Sequence, residues 1–596
     1  MEKNRVHWKI GGAAGQGVKS SGIIFAKTCT RGGLSAFGYL EYPSLIKGGH
    51  NTYQVRVEDR PVRTLVRQLD VLVALNRDTI ERHLGELAPG AVVIYDGDRV
   101  KAAPVEFGRD DVRFLHVPAL HISKELKVSQ LMENQVFLGA TFGILDYDFN
   151  ILEGVIRDQF GDKGSKVAEE DVKSARAGFD YVRKEFDCHS FPRSLEPVDG
   201  PKGMFLTGND AMALGAVKAG CHFYAAYPMT PASSILHTMA SLQHDHGLVV
   251  KHVEDEISAV NMTIGAGYAG ARAMCATSGG GFALMNEGYS LAGMTETPLV
   301  IAEVQRGGPA TGIPTWTEQA DLKFVLNAGH GEFPRFVIAP GDPEEAYYMT
   351  AEAFNIAEEF QTPVILLSDK YLAESNWTYP FFEGEVEVRR GPWVSDDELG
   401  QLEEAGERFK RYDLNTESGV STRVVPGQHP NGIFTANSDE HEEHGYSCEE
   451  IDNRNAMSRK RLRKVESFRQ SMPQPKIYGP EDADCTVVCW GSTKTMALQA
   501  LDWLRDEGLS VNVLHLAYIS PFPAEAVADR LNRAKLVLDV EHNATGQMAD
   551  VIRMHTGLSV RHHLLKNDGR PILPEEVADK VRELLGPLAD DKGVRS

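Results

Sequence analysis

The 596-residue sequence has no run of about 18 consecutive apolar residues, so no membrane-spanning helix and no membrane partner are expected. It also lacks an apolar signal segment at its start. MEKNRVHWKIGG enters a strand-like pattern almost at once, and a cytoplasmic location is expected. Positive charge is in deficit: the formal net charge of -22 argues against nucleic acid as a main partner and fits a soluble acidic surface. Cysteine is scarce, and no CxxC occurs. Cys29, Cys188, Cys221, Cys275, Cys448, Cys485 and Cys489 are scattered and odd in number. Neither a disulfide framework nor an iron–sulfur cluster held by this chain alone is expected. The dinucleotide fingerprint GxGxxG is missing too. The turn GGAAGQGVKSSG has the order Gly12-x-x-Gly15-x-Gly17.

What is present is a rhythm of apolar runs that end in polar or glycine-rich turns. It is clearest from Gly208 to Asp321. CHFYAAYP turns at Thr230, GLVVKHVEDE at Glu256, ARAMCATS at Ser278 and TPLVIAEVQ at Arg306. After the second and third turns the period becomes helical, through Ile257, Val260 and Ile264, then Phe282, Met285 and Tyr289. This predicts an α/β fold with a doubly wound parallel sheet, whose ligands sit at the carboxyl ends of the strands. Thr230, Glu256, Ser278 and Arg306 are therefore candidates for one crevice. Each also has an ordinary reading. Thr230 before Pro231 suits a helix N-cap, Glu256 suits a first helical turn, and Arg306 suits a surface strand end.

The rest of the chain reads as further α/β units. A first unit spans 1–191. In it the glycine turn serves either close strand–helix packing or a phosphate at a helix N-terminus. Lys47 and His50 stand at the mouth of an alternating strand, with Lys47 read either as a solvated lysine or as a ligand group. A second unit fills 201–385. From 386 to 480 the pattern weakens into a charged connecting segment, with SRKRLRKVESFR read as one face of a helix and Asp439, His441 and His444 as a solvated loop. An α/β pattern returns over 481–590, where Glu541, His542 and Asn543 end a strand and read equally as ligands or loop polars.

YPMTPAS, VEDEISAVNMTIGAGYAGARA, TSGGGFALMNEGYSLAG and VQRGGPATGIPT resemble the α subunit of 2-oxoacid:ferredoxin oxidoreductases. GGAAGQGV and EYPSLIKGGHNTYQVRV resemble that family's γ domain, fused here ahead of α, and VEHNATGQMADVIR resembles its transketolase-like C-terminal domain. The resemblance implies a γ-type domain, a pyrimidine-type thiamine-diphosphate-binding domain and a transketolase-C-terminal-like domain. It implies an enzyme that converts a 2-oxoacid and coenzyme A to an acyl-CoA and CO2 while reducing ferredoxin. On matching positions it assigns Glu256 to the thiamine aminopyrimidine, with Ser278 and Gly279 beside the cofactor. It assigns Thr230, Arg306 and Thr315 to the substrate's 2-oxocarboxylate, and Lys47 to the distal carboxylate of a dicarboxylic substrate. The γ–α fusion and SLIKGGH favour 2-oxoglutarate, with pyruvate, branched-chain or broad specificity as the alternative.

Thiamine enzymes bind the diphosphate and Mg2+ through a GDG motif, and this sequence has none. A separate β subunit is therefore expected to bring that site, a [4Fe–4S] cluster and the ferredoxin contact, in an αβ heterodimer or (αβ)2 heterotetramer. Coenzyme A is an expected co-substrate whose contacts the sequence does not place. The rivals are an NAD-dependent dehydrogenase, which the glycine order opposes, and a non-catalytic binding protein, which the intact Thr230, Glu256 and Arg306 set opposes.

Overall fold

Strands whose residues are apolar on both faces must be covered on both sides, and this chain covers them with the helices that connect them. The computed structural model describes residues 2–45, 48–129, 132–161, 164–200 and 203–593. Two compact units result, the first formed by Met1–Thr207, Glu374–Phe382 and Leu573–Glu576 and the second by the remainder.

The first unit is built on a mixed eight-stranded sheet. Its order is Arg113–His116, Leu87–Tyr95, Leu69–Ala74, Arg5–Ala13, His50–Glu58, Ser35–Glu41, Asn376–Pro380 and Gly203–Thr207. The strand Asn376–Pro380 joins this sheet from far along the chain, pairing antiparallel with both of its neighbours. The glycine turn lies between Arg5–Ala13 and the helix Val18–Arg31. Gly15 and Gly17 have φ of 88° and 76°, a left-handed backbone that favours glycine. A Cβ on Gly17 would also strike the Asn134 amide. Close packing thus accounts for Gly17.

In the second unit a seven-stranded sheet runs in the order Val249–His252, Phe223–Ala226, Ala273–Thr277, Leu299–Gln305, Pro363–Asp369, Phe336–Ile338 and Tyr518–Ser520. All pairings are parallel except the last. From Phe223–Ala226 the chain passes first to one side, then back to the other. That reversal is a topological switch point, where such sheets open a crevice. A five-stranded sheet follows, in the order Lys476–Tyr478, Val511–Leu516, Cys485–Trp490, Leu536–Glu541 and His562–Leu565. Side chains from both sheets, among them Phe282, Ile301, Leu367, Trp490 and Leu514, share one apolar core.

The connecting segment contains a helix, Ile451–Arg469, over the basic run. Of its basic residues, Lys460, Arg461 and Lys464 are buried, while Arg454, Arg459 and Arg469 are exposed. His441 and His444 donate their Nδ1 protons to the carbonyls of Asp439 and Phe409. Among the described residues no cluster suited to a metal ion occurs, and no helix is long and apolar enough to cross a membrane.

Candidate active site

Four of the sequence's candidate residues leave the carboxyl ends of four adjacent parallel strands. Asp255 caps the helix Glu256–Tyr268, its side chain accepting a hydrogen bond from Ser258 N. This turns Glu256, the first helical residue, inward, where it is only 3% exposed. Its Oε1 lies 3.4 Å from Thr277 Oγ1, which is placed to donate. The next strand leads into the helix Gly279–Met294 through Ser278. A Cβ at Gly281 would come within 2.8 Å of Glu256 Cδ and would land on Thr277 Oγ1. Gly281 thus leaves the space against which the Glu256 carboxylate lies. Ser278 Oγ and Thr315 Oγ1 are buried and have no hydrogen-bond partner among the described residues.

Thr230 is not a helix cap. The helix begins at Ser233 with Ala232 as its N-cap, and Thr230–Pro231 is a cis peptide in the preceding loop. That loop is tied down by Asn209, whose Nδ2 donates to Pro231 O at 2.8 Å and to Ser234 Oγ at 2.7 Å. Arg306 follows the strand Leu299–Gln305, is half-buried rather than a surface residue, and donates through Nη1 to Thr230 O at 2.7 Å. Thr230 and Arg306 are therefore in direct contact. Burial pulls the Arg306 guanidinium below its ordinary range, while the charges of Asp321 and Glu256 oppose that shift.

The loop from Arg306 to Asp321 is anchored at several points within the second unit. Gly307 N donates to Trp316 O, and Gly308 N to Glu318 Oε2. Gln319 exchanges hydrogen bonds with the backbone of His542 and donates to Trp490 O. Glu541, His542 and Asn543 are buried, and the His542 backbone and the Asn543 amide hold this loop through Gln319. Glu541 accepts from Trp490 Nε1, Asn543 Nδ2 and Met548 N, yet burial and the nearby Asp539 push its carboxyl above the usual carboxylate range. The carboxylate of Asp321 lies against Gly279, where an added Cβ would sit 2.9 Å from Asp321 Cγ.

Glu256, Ser278, Gly279, Thr230 and Arg306 are thus on one edge of one sheet. Lys47 lies outside the described residues. Thr277, Gly281, Asn209, Glu303 and Asp321 were not singled out from sequence. The glycine run TSGGGF was the one visible signal among them, because a glycine inside a helix implies a close neighbour.

Three family profiles match the chain. Residues 214–445 match "Pyruvate flavodoxin/ferredoxin oxidoreductase, thiamine diP-bdg", residues 7–181 match "Pyruvate ferredoxin/flavodoxin oxidoreductase", and residues 483–577 match "Pyruvate:ferredoxin oxidoreductase core domain II". The 2-oxoacid:ferredoxin oxidoreductase subunit alpha of Saccharolobus solfataricus is 32% identical over 98% of each chain. The 2-oxoglutarate oxidoreductase subunit KorA of Mycobacterium tuberculosis is 30% identical, over 98% of this chain and 92% of its own. A solved structure of the 2-oxoglutarate:ferredoxin oxidoreductase from Magnetococcus marinus, with 2-oxoglutarate, coenzyme A and succinyl-CoA bound, superposes with a TM-score of 0.90. It is 32% identical and is covered over 98% of this chain and 100% of its own.

Proposed function

The chain belongs to the 2-oxoacid:ferredoxin oxidoreductases, as a relative of their alpha subunits, and on that premise we propose that it acts on 2-oxoglutarate. The reaction is interconversion of 2-oxoglutarate, coenzyme A and oxidised ferredoxin with succinyl-CoA, CO2 and reduced ferredoxin. The observation that carries this reading is the buried Glu256 carboxylate, turned inward at the carboxyl end of the parallel sheet and held against Thr277 and Gly281.

The residues present fit thiamine diphosphate. A buried carboxylate with acceptor capacity to spare and the unpartnered Ser278 hydroxyl are groups that a planar aminopyrimidine can hydrogen-bond. When bound, that group supplies the electron sink for loss of CO2 from a 2-oxoacid. Glu256 holds or releases a proton at its carboxyl oxygens, in a site from which water is largely excluded. Arg306 grips the substrate carboxylate through its guanidinium, and the hydroxyls of Thr230 and Thr315 orient it. Ser278 and Gly279 line the cofactor's approach. Lys47 pairs with the distal carboxylate of a dicarboxylic substrate.

A β subunit supplies the Mg2+–diphosphate site, the [4Fe–4S] cluster and the ferredoxin contact in this reading. The support is the absence of GDG and CxxC here, together with relatives named as alpha subunits. The choice of 2-oxoglutarate is supported by the name of the mycobacterial relative and by the ligand in the Magnetococcus structure. Broad 2-oxoacid specificity is the second reading, favoured by the name of the Saccharolobus relative.

The test is an air-free assay of the chain purified with its partner, reading CoA-dependent reduction of a viologen dye. Lys47→Ala is expected to raise KM for 2-oxoglutarate far more than for pyruvate. Equal effects on both substrates would remove Lys47 from specificity. Absence of thiamine and of any partner, with no activity after a β subunit is added, would overturn the reading as a whole.

A further inference from the structure

The helices Glu256–Tyr268 and Gly279–Met294 lie side by side and pack closely: a Cβ on Gly288 would come within 2.7 Å of Val260 Cγ1. Ala259, Val260, Thr263 and Ile264 are buried on the inner side of the first helix. Its outer side carries no charge either. Ile257, Asn261 and Gly265 recur there four residues apart, with Met262 beside them, and Ile257 and Met262 are 48% and 44% exposed. On the second helix Gly280 and Leu284 are exposed, Leu284 by 51%. A Cβ on Gly265 or Gly280 would meet nothing within 4 Å, so the backbone is open to a close neighbour at both places. Between Glu256 and Glu287 the one charged residue is Arg272, which is buried, although charged residues make up 24% of the chain.

A surface helix of a globular protein keeps charged residues on its outer face, and one that does not is covered there too. An uncharged, partly apolar surface of this extent marks a contact with another macromolecule, and the centres of such contacts are depleted of charge. The position of the face selects the occupant. It begins one residue from the candidate site on both helices: Ile257 follows Glu256, and Gly280 precedes Gly281, which lies against the Glu256 carboxyl. Thiamine diphosphate is one small molecule, and a chain that holds its diphosphate while Glu256 meets its pyrimidine must come within a cofactor's length of Glu256. A second copy of this chain cannot be that neighbour, because it has no GDG either.

We propose that the outer face of these two helices, centred on Met262 and Leu284 and running from Ile257 past Gly265, is the docking surface for the diphosphate-binding β subunit. The first helix alone offers it a stripe about 20 Å long. Gly265 and Gly280 admit the partner's backbone or side chains closely, while Met262 and Leu284 supply the apolar area that association removes from water. The face is neutral in a chain whose net charge is -22, so an acidic partner can approach it without direct repulsion. The proposal rests on the two-subunit reading above and adds to it where the second subunit sits on this chain.

The experiment is co-expression of the tagged full chain with the β subunit, air-free purification on the tag, and measurement of the ratio of β to this chain. Met262→Glu and Leu284→Glu each put an unpaired carboxylate into the contact and should lower retained β at least about tenfold. Val105→Glu, at a strongly exposed apolar residue of the first unit, should leave the ratio unchanged. Thermal unfolding of the charged variants should match the unmodified chain, because both side chains are exposed. If either variant does not fold, Met262→Cys replaces it: a maleimide should label that cysteine in the free chain and lose access to it in the complex. Full retention of β in both charged variants, or undiminished labelling of Met262→Cys in the complex, overturns the proposal. Retention of β with loss of a contact between copies of this chain, read as a halved mass in solution, overturns it too and gives the face to a second copy. If the unmodified chain retains no β subunit, the two-subunit reading itself fails and the proposal falls with it.

Discussion

Glu256 is distinguished from Glu254 and Asp255 by where one helical turn puts each of them. Asp255 is spent as the cap and Glu254 accepts from Ser258 Oγ at an exposed position, while Glu256 is carried inside. If Glu256 handles a proton, Glu256→Gln keeps the shape and removes the proton site. The expected loss is about 10²-fold or more in turnover with the partner subunit, at unchanged circular dichroism. Full activity in that variant would return Glu256 to a helix-terminus role. Gly281 gives a sharper pair. Gly281→Ala puts a methyl group onto Thr277 and Glu256 and should cost about 1–3 kcal/mol by overpacking, besides activity. Gly280→Ala, one residue away with nothing within 4 Å, should be neutral or stabilise by about 0.4–1 kcal/mol. Thermal unfolding of the two variants of the isolated chain decides this, and equal destabilisation would mean that Gly281 is not packed as described. Residues of this kind were partly legible in advance. Glu256, Ser278 and Arg306 stand at strand ends, which periodicity reveals. Glu303 did not, because inside an apolar strand a single glutamate says nothing about what it faces.

At the level of elements, the strand–turn–helix alternation was readable because period and turn chemistry are local. The caps follow the same logic. Asp255 accepts from Ser258 N and Asp342 from Glu345 N, each just before a helix. Asp255→Ala should therefore cost about 1 kcal/mol. What local pattern did not show is that Asp342 also holds Lys494, at 2.5 Å, with Glu345 at 2.5 Å on the same ammonium. Those partners lie 152 and 149 residues away in sequence, and a lysine in an amphipathic helix reads as solvated until the other side of the contact is known. Lys494→Met strands two carboxylates in a dry site and should cost about 3–5 kcal/mol. Urea titration of both variants should rank Lys494→Met well above Asp255→Ala. The reverse ranking would show that water reaches the Lys494 site. The strand Asn376–Pro380 was illegible for the same reason. Its sequence, NWTYP, fits any half-buried strand and says nothing of which sheet it joins.

Over the whole molecule the acidic balance conceals one buried site where cations outnumber the carboxylate they surround. Glu296 is fully buried between Lys460 Nζ at 2.8 Å and Lys464 Nζ at 2.5 Å, and Arg411 donates to its carbonyl. The two ammonium groups hold the Glu296 carboxyl far below its usual range against the opposing effect of burial. Lys464 is the weak member. Burial, the nearby Lys460 and Arg411 pull it down to about 7, although Glu296 pulls the other way. The sign of its effect on stability follows. Between about pH 7 and the ordinary lysine value of about 10.4, the unfolded chain holds a proton on Lys464 that the folded chain has released. Stability from this group therefore rises with pH through that window. Glu296→Gln removes the carboxylate that pairs with both lysines and should cost about 3–5 kcal/mol at pH 7. That cost should shrink as pH rises toward 9, because Lys464 can then shed its charge. Lys464→Met leaves one Lys460–Glu296 pair, should cost less at pH 7, and should flatten the pH dependence. Denaturant unfolding of the three proteins at pH 7 and pH 9 separates these outcomes. A cost of Glu296→Gln that does not change with pH would mean that Lys464 stays protonated, and that the helix Ile451–Arg469 is held by packing rather than by this charge cluster.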